Sequence, residues 1–229
     1  MNIAVIPARG GSKRIPRKNI RLFHGLPVIA YAIKAAKESG VFSEVFISTD
    51  DEEIAEVAES FGATIPWLRP KKLSDDHTST ISVMKDAVHK LKSKVNDLEN
   101  VCCIYPATPL LKPIFISQGL QILKMGDWDY VLSASRAETP PERFFSLNAA
   151  SGVDMHFPEQ ELTRTQDFVP SYHDAGQFYW GRKSSWESGL PIFSSASTII
   201  EIPNELSVDI DTMDDWHRAE RLFEIQKDF

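Results

Sequence analysis

Cysteine is nearly absent: Cys102 and Cys103 are the only two, and they are adjacent. Neighbouring residues do not form an ordinary disulfide, and two cysteines with no histidine at ligand spacing make no zinc motif. A disulfide framework and a structural zinc site are therefore excluded. Both lie in the apolar run Val101-Cys-Cys-Ile-Tyr105 and read as small core residues. Long apolar runs are missing too. Nothing approaches the roughly 20 residues that a membrane span requires, so no membrane partner is expected. The amino end, Met-Asn-Ile-Ala-Val-Ile-Pro, has no basic stretch before its apolar residues and meets Pro7 at once. It reads as a strand and not a signal peptide, and the expected location is the cytosol. Basic residues are in deficit, 25 Lys plus Arg against 32 Asp plus Glu, for a net charge of −7. That balance disfavours a broad nucleic-acid-binding face. What remains is an ordinary globular composition, 42% hydrophobic and 25% charged, over 229 residues. This is enough for one well-packed domain, 1–229, and short for two.

Periodicity supplies the fold class. Short apolar runs at Ile3–Ile6, Val45–Ser48, Val101–Tyr105 and Val131–Ala134 read as buried strands. Between them lie helical patterns. One opens after Pro27, with Ile29, Ala32, Ile33 and Ala36 on one face, and stops at Gly40; another carries Ile54, Val57, Ala58 and Phe61 and stops at Gly62. Ser74–Ser93 and Ile114–Lys124 follow the same logic. Alternating strands and helices with short connections predict an α/β, three-layer Rossmann-like fold with a largely parallel sheet. The rhythm breaks over 138–171, where Pro140, Pro141, Pro158 and Pro170 interrupt any period, so this segment reads as an inserted arm. Strand character returns at Gln177–Trp180, Thr198–Ile202 and Val208–Ile210. Thr212-Met-Asp-Asp215 resembles a capping box before a last helix with Trp216, Ala219, Leu222 and Phe223 inward.

The most informative stretch follows the first strand. Arg9 to Arg21 holds six basic residues in thirteen and no acid, where an even spread would give about 1.4. In open α/β sheets ligands bind beyond the carboxyl ends of the strands. Gly10 and Gly11 would let backbone amides approach an anion, and Arg9 and Lys18 would neutralise it, with Ser12 as a further donor. The combination suits a polyphosphate; a solvated basic loop or a nucleic-acid patch is the alternative from charge alone. There is no Gly-Lys-Ser/Thr ending and no GxGxxG opening a helix, which excludes the two commonest phosphate loops.

Near the other end, Asp209 and Asp211 flank Ile210. In an extended chain residues two apart share a face, so both carboxylates can aim at one point, as oxygen ligands of Mg²⁺ would. Spacing alone leaves a second reading open, because Asp211 also precedes a helix whose first turn holds Asp214 and Asp215, and acids favour that end.

Pro7-Ala-Arg-Gly-Gly-Ser-Lys-Arg-Ile-Pro-Arg-Lys-Asn19 resembles the signature of the cytidylyltransferases that activate nine-carbon acidic sugars, the CMP-sialic-acid synthetase group. The resemblance returns, in order, at Ser48-Thr-Asp50, Arg69-Pro70 with Leu73-Ser-Asp75, Pro106-Ala-Thr-Pro-Leu110 and Asp209-Ile-Asp-Thr212. It implies an enzyme that couples CTP to a 2-keto sugar acid, with a divalent cation such as Mg²⁺ at Asp209 and Asp211. It also implies phosphate contacts from Arg9 and Lys18, and a cytosine and ribose end formed by Asn19, Arg69, Thr80 and the backbone of Ala8 and Arg9. Ser79 rivals Thr80 as the residue that starts the helix. The arm resembles the segment through which such enzymes form homodimers, with Arg143 and Arg164 as its only Lys or Arg residues. Relatives acting on sialic acid carry Gln-Pro-Thr-Ser-Pro, an apolar residue and Arg, where this chain has Tyr105-Pro-Ala-Thr-Pro-Leu-Leu111. Loss of an amide and a cation points to a less polar acidic sugar, with Tyr105, Gln177 and Tyr179 as candidate sugar contacts. A nucleotide-binding module without catalysis is the alternative of another class, and the paired aspartates argue against it.

Overall fold

The computed structural model describes residues 1–227; Asp228 and Phe229, the end of the predicted domain, lie outside the described residues. The strands are β1 (Asn2–Pro7), β2 (Leu22–Phe23), β3 (Leu26–Pro27), β4 (Glu44–Ser48), β5 (Asn100–Ile104), β6 (Tyr130–Arg136), β7 (Phe145–Leu147), β8 (Val153–Met155), β9 (Tyr172–Arg182) and β10 (Ser197–Glu201). The helices are α1 (Val28–Glu38), α2 (Glu52–Ser60), α3 (Thr80–Leu91), α4 (Pro113–Met125), α5 (Lys183–Ser188) and α6 (Met213–Lys227). Six strands form the main sheet in the order β10-β6-β9-β5-β1-β4. β1 pairs in parallel with β4 and β5, and β10 with β6, while β9 runs antiparallel to both β5 and β6. The α/β class with a mostly parallel sheet is as expected.

Strand alternation divides the core into two faces. Ala4, Ile6, Cys102 and Ile104 point to the side covered by α1, α2 and α4; Ile3, Val5, Val101 and Cys103 point to the side covered by α3 and α5. Cys102 and Cys103 are thus buried on opposite faces of one strand, free thiols whose ionisation burial suppresses. A third cluster, with Ile15, Phe23, Val28, Val208, Ile210 and Trp216, seats α6 against the basic loop and the β2–β3 hairpin. No helix among the described residues is long and apolar enough to cross a membrane.

One expectation needs correction. Val208–Ile210 pairs with no strand among the described residues. Burial nonetheless alternates, with Val208 and Ile210 in the third cluster and Asp209 exposed, so the side-chain alternation holds without a sheet partner. The segment from Ser74 opens with a polar entry, and its helix begins at Thr80. Before it, Asp75 accepts from the amides of His77 and Thr78 and from the Thr78 hydroxyl, which closes a turn, and Ser79 caps the helix through the Ser82 amide at 3.2 Å. Within the mostly parallel sheet β9 is the antiparallel strand. It returns from an excursion that leaves β6 and is closed by the Ala137 amide donating to the Ser171 carbonyl at 2.8 Å. That excursion contains the two-stranded β7–β8 sheet.

Candidate functional site

The parallel strands β1, β4 and β5 end on one edge of the sheet, and the segments that follow them border a cleft of about 510 Å³. Its lining includes Arg9, Ser12, Lys18 and Asn19 from the basic loop, Arg69, Thr80, Tyr105, and Asp209 with Asp211. The two ends of the chain meet here. Lys18 donates from Nζ to the Ile210 carbonyl at 2.6 Å and lies 3.6 Å from Asp211 Oδ1, while Arg14 pairs with Asp211 at 2.9 Å. Five cations (Arg9, Lys13, Arg14, Lys18, Arg69) and four carboxylates (Asp75, Asp76, Asp209, Asp211) line this one cleft.

The basic loop is anchored by β4 and the cap of α2. Arg17 adopts a left-handed conformation (φ 55°) and its guanidinium bonds Asp51 and Glu53. Asp51 also caps α2 by accepting from the Ile54 amide at 3.0 Å, and the Arg17 hydrogen bond holds its carboxyl below the ordinary range. Gly10 passes so close that a Cβ there would stand 2.5 Å from Asp51 Oδ2. Close packing is therefore what requires glycine at this position. Its amide is not open to an incoming anion, because it donates to Asp50 Oδ1 at 3.0 Å. A Cβ at Gly11 would meet nothing within 4 Å, and Gly11 is not among the cleft-lining residues. The Ala8 amide is likewise committed, to the Ser48 carbonyl at 2.9 Å, and its side chain is buried.

The polar end of the cleft is more deeply set. Arg69 is only 5% exposed, donates from Nε to Ser74 Oγ at 3.1 Å and has Asp50 as its counter-ion at 3.8 Å. Burial lowers its pKa, opposed by Asp50. Asn19 donates its amide to the Arg9 carbonyl at 2.9 Å, while its Oδ1 is buried and has no protein partner. A buried acceptor facing a ligand cleft calls for a donor from the ligand. Since Ser79 does the capping, Thr80 Oγ1 is released to bond the Tyr105 hydroxyl at 2.8 Å.

Asp209 opens to the cleft yet is crowded by protein, and burial first and Asp211 second push its carboxyl above the ordinary range. Gly176, at φ 63°, lies against it; a Cβ there would sit 3.2 Å from the Asp209 Cγ. A divalent cation would relieve this mutual repulsion, so the two carboxylates fit Mg²⁺, which takes one or two carboxylates with water and phosphate oxygens. Among the described residues no group of three or more His, Cys, Asp or Glu is arranged to hold a metal unaided.

Two sugar-contact candidates stand apart from the cleft lining. Gln177 is buried and donates from Nε2 to the Leu206 carbonyl at 2.5 Å. Tyr179 packs edge-to-face behind Tyr105, with ring centroids 5.6 Å apart, and donates its hydroxyl proton to Asp174. Sequence reasoning gave no role to Lys13, Arg14, Asp76 or Gly176. Lys13 and Arg14 were visible within the basic run, whereas the φ of Gly176 and the cross-cleft position of Asp76 leave no local signal.

The family model for cytidylyltransferases matches residues 3–225. The chain belongs to the cytidylyltransferase family. It is 41% identical over 224 residues to the pseudaminic acid cytidylyltransferase of Campylobacter jejuni subsp. jejuni serotype O:23/36, covering 98% of this chain and 97% of that one. It is 32% identical over 227 residues to the CMP-N,N'-diacetyllegionaminic acid synthase of Legionella pneumophila, covering 99% and 97%. The solved structure of CMP:2-keto-3-deoxy-manno-octonic acid synthetase complexed with CTP superposes with a TM-score of 0.72 at 18% identity, over 98% of this chain and 99% of that one. At that identity the likeness establishes a shared fold.

Proposed function

We propose that the cleft binds CTP and transfers its CMP moiety to the anomeric hydroxyl of a nine-carbon acidic sugar, pseudaminic acid, releasing pyrophosphate in the cytosol. The observation that supports this reading is the meeting of Lys18 with Ile210 and Asp211, which brings cations of the basic loop and two carboxylates to one cleft. The anomeric oxygen attacks the α-phosphorus, the bond from that phosphorus to the β-phosphate oxygen breaks, and the hydroxyl proton is released. Such chemistry asks the protein mainly for positioning and charge neutralisation.

Arg9, Lys18 and Ser12 hold the phosphates. Asn19 Oδ1 accepts from the exocyclic amine of cytosine, a donor that uracil lacks, and Arg69 and Thr80 orient the nucleoside. Asp209 and Asp211 would hold Mg²⁺, which neutralises phosphate charge and polarises the attacked phosphorus when bound. Tyr105 lines the cleft where sialic-acid enzymes use Gln, and it favours a sugar with deoxy and acylated-amine groups over one rich in hydroxyls; Leu111, where those enzymes carry Arg, is buried in the core and does not line the cleft. Tyr179 and Gln177 support this wall from behind.

We also infer a homodimer through the arm at 138–171. Phe144, Phe145, Leu147 and Val153 of its hairpin are exposed, a liability that a second copy of the chain would remove. Arg143 is spent inside the arm, bonding the carbonyls of Gln160, Glu161 and Thr163 and lying over Phe168. Arg164 is exposed and is the arm's cation for a neighbour's substrate.

Pyrophosphate release from CTP and Mg²⁺ with a panel of pseudaminic, legionaminic, sialic and 3-deoxy-manno-octulosonic acids tests the assignment. Pseudaminic acid is expected to give the highest kcat/KM. A higher value for sialic acid overturns the acceptor, and no release with any sugar overturns the reaction.

A further inference from the structure

Asp76 lies on the loop between Arg69 and α3, across the cleft from the basic loop. Its two oxygens are divided between two cations: Oδ1 accepts from Arg9 Nη1 at 2.6 Å, and Oδ2 pairs with Lys13 Nζ at 2.5 Å. Lys13 first and Arg9 second hold its carboxyl below the ordinary range. The neighbouring Asp75 faces the same cleft but spends its carboxylate on its own turn, accepting from His77 and Thr78. Only one of the two adjacent acids therefore engages cations of the basic loop.

A carboxylate that bridges two cations, one oxygen to each, makes the pattern a phosphate group makes. A phosphate taking the same N–H groups would stand beside Asp76 and be repelled by it. We propose that Asp76 is an internal competitor of the nucleotide's phosphates, which yields Arg9 and Lys13 when CTP binds and reclaims them as pyrophosphate leaves. The proposal rests on reading the cleft as a CTP site. Asp76 lowers affinity for both triphosphate and pyrophosphate, and in exchange shortens the residence of a tightly held dianionic or more highly charged product. The pairs are partly exposed, so the competition is modest and reversible.

Calorimetric dissociation constants for CTP and for inorganic pyrophosphate, measured on wild type, Asp76→Asn, Asp75→Asn and Arg9→Ala, test it. Asp76→Asn is expected to tighten both ligands by about 2- to 30-fold, the range that two exposed ion pairs supply, and to lower the pyrophosphate concentration that inhibits turnover by a similar factor. Asp75→Asn removes the same charge one residue away and is expected to change either constant less than twofold. Equal tightening by both variants would reduce the effect to the general field of the cleft and overturn the proposal. Unchanged or weaker binding by Asp76→Asn would also overturn it, making Asp76 a support for Arg9 and not a rival of the ligand. Arg9→Ala separates this from the reading beneath it. Weaker binding of both ligands is expected, and unchanged binding would remove Arg9 from the phosphate site whatever Asp76 does. The same two pairs are lost from the unliganded fold, so Asp76→Asn should lower the unfolding temperature by only a few degrees.

Discussion

The cleft and the arm leave the same edge of the sheet and are built on opposite terms. In the cleft, polar groups are buried or half-buried and bonded: Arg69 has Ser74 and Asp50, Lys18 has Ile210 and Asp211, and Tyr105 has Thr80. The orphan there, Asn19 Oδ1, points to a ligand. In the arm, backbone groups are satisfied by the β7–β8 pairing and by Arg143, while apolar side chains stand in solvent: Leu147 is 67% and Val153 60% exposed. The cleft is incomplete toward a hydrogen-bond donor, and the arm is incomplete toward an apolar surface. An unmet requirement in a folded chain thus names the chemistry of what will meet it.

The contrast is broken most forcefully at the arm. Phe145→Asp with Leu147→Asp places charge on the exposed hairpin without touching the sheet core. Sedimentation equilibrium should show the dimer dissociation constant rise by about 100-fold or more, as when central apolar anchors of an interface are replaced. An unaltered constant would show that the arm is not the contact, and retention of full activity by the resulting monomer would remove Arg164 from a partner's site.

A smaller effect sharpens the cleft side. Asp51→Ala removes both the cap of α2 and the anchor of Arg17, so urea unfolding at pH 7 should lose about 1–2 kcal/mol. The folded pKa of Asp51 lies below its unfolded value of 3.8. Its contribution is therefore complete above that value and is lost as pH falls through the lower, folded one. The difference between variant and wild type should stay constant from pH 7 to pH 5 and shrink below 3.8. A difference that already narrows at pH 5 would contradict the depressed pKa.

Much of this was readable in the chain. Two-residue and 3.6-residue periods marked the strands and helices because each element buries one face against the next, and Ile29, Ala32, Ile33 and Ala36 are all buried as their spacing required. The antiparallel return of β9 was hidden because it depends on a 35-residue excursion closing on itself between Ala137 and Ser171, which leaves no local pattern. Charge density exposed Arg9 and Lys18, and the alternation around Ile210 aimed Asp209 and Asp211 correctly even though the segment is no strand. Gly10 was legible as a residue that must be glycine, but not the reason, since Asp51 is forty-one positions away. Gln177 and Tyr179 were harder still: strand alternation says that neighbours face opposite sides, not which side meets a ligand.

The central claim is that the basic loop and the two aspartates act on one triphosphate. Its most direct test is a double-mutant cycle on Lys18→Ala and Asp211→Ala, read as kcat/KM for pyrophosphate release at saturating sugar. Groups acting together on one centre lose most of their effect with the first removal, so the double variant should be scarcely slower than the slower single variant. If the two losses multiply in full, Lys18 and Asp211 act independently and the claim of a shared phosphate site is wrong.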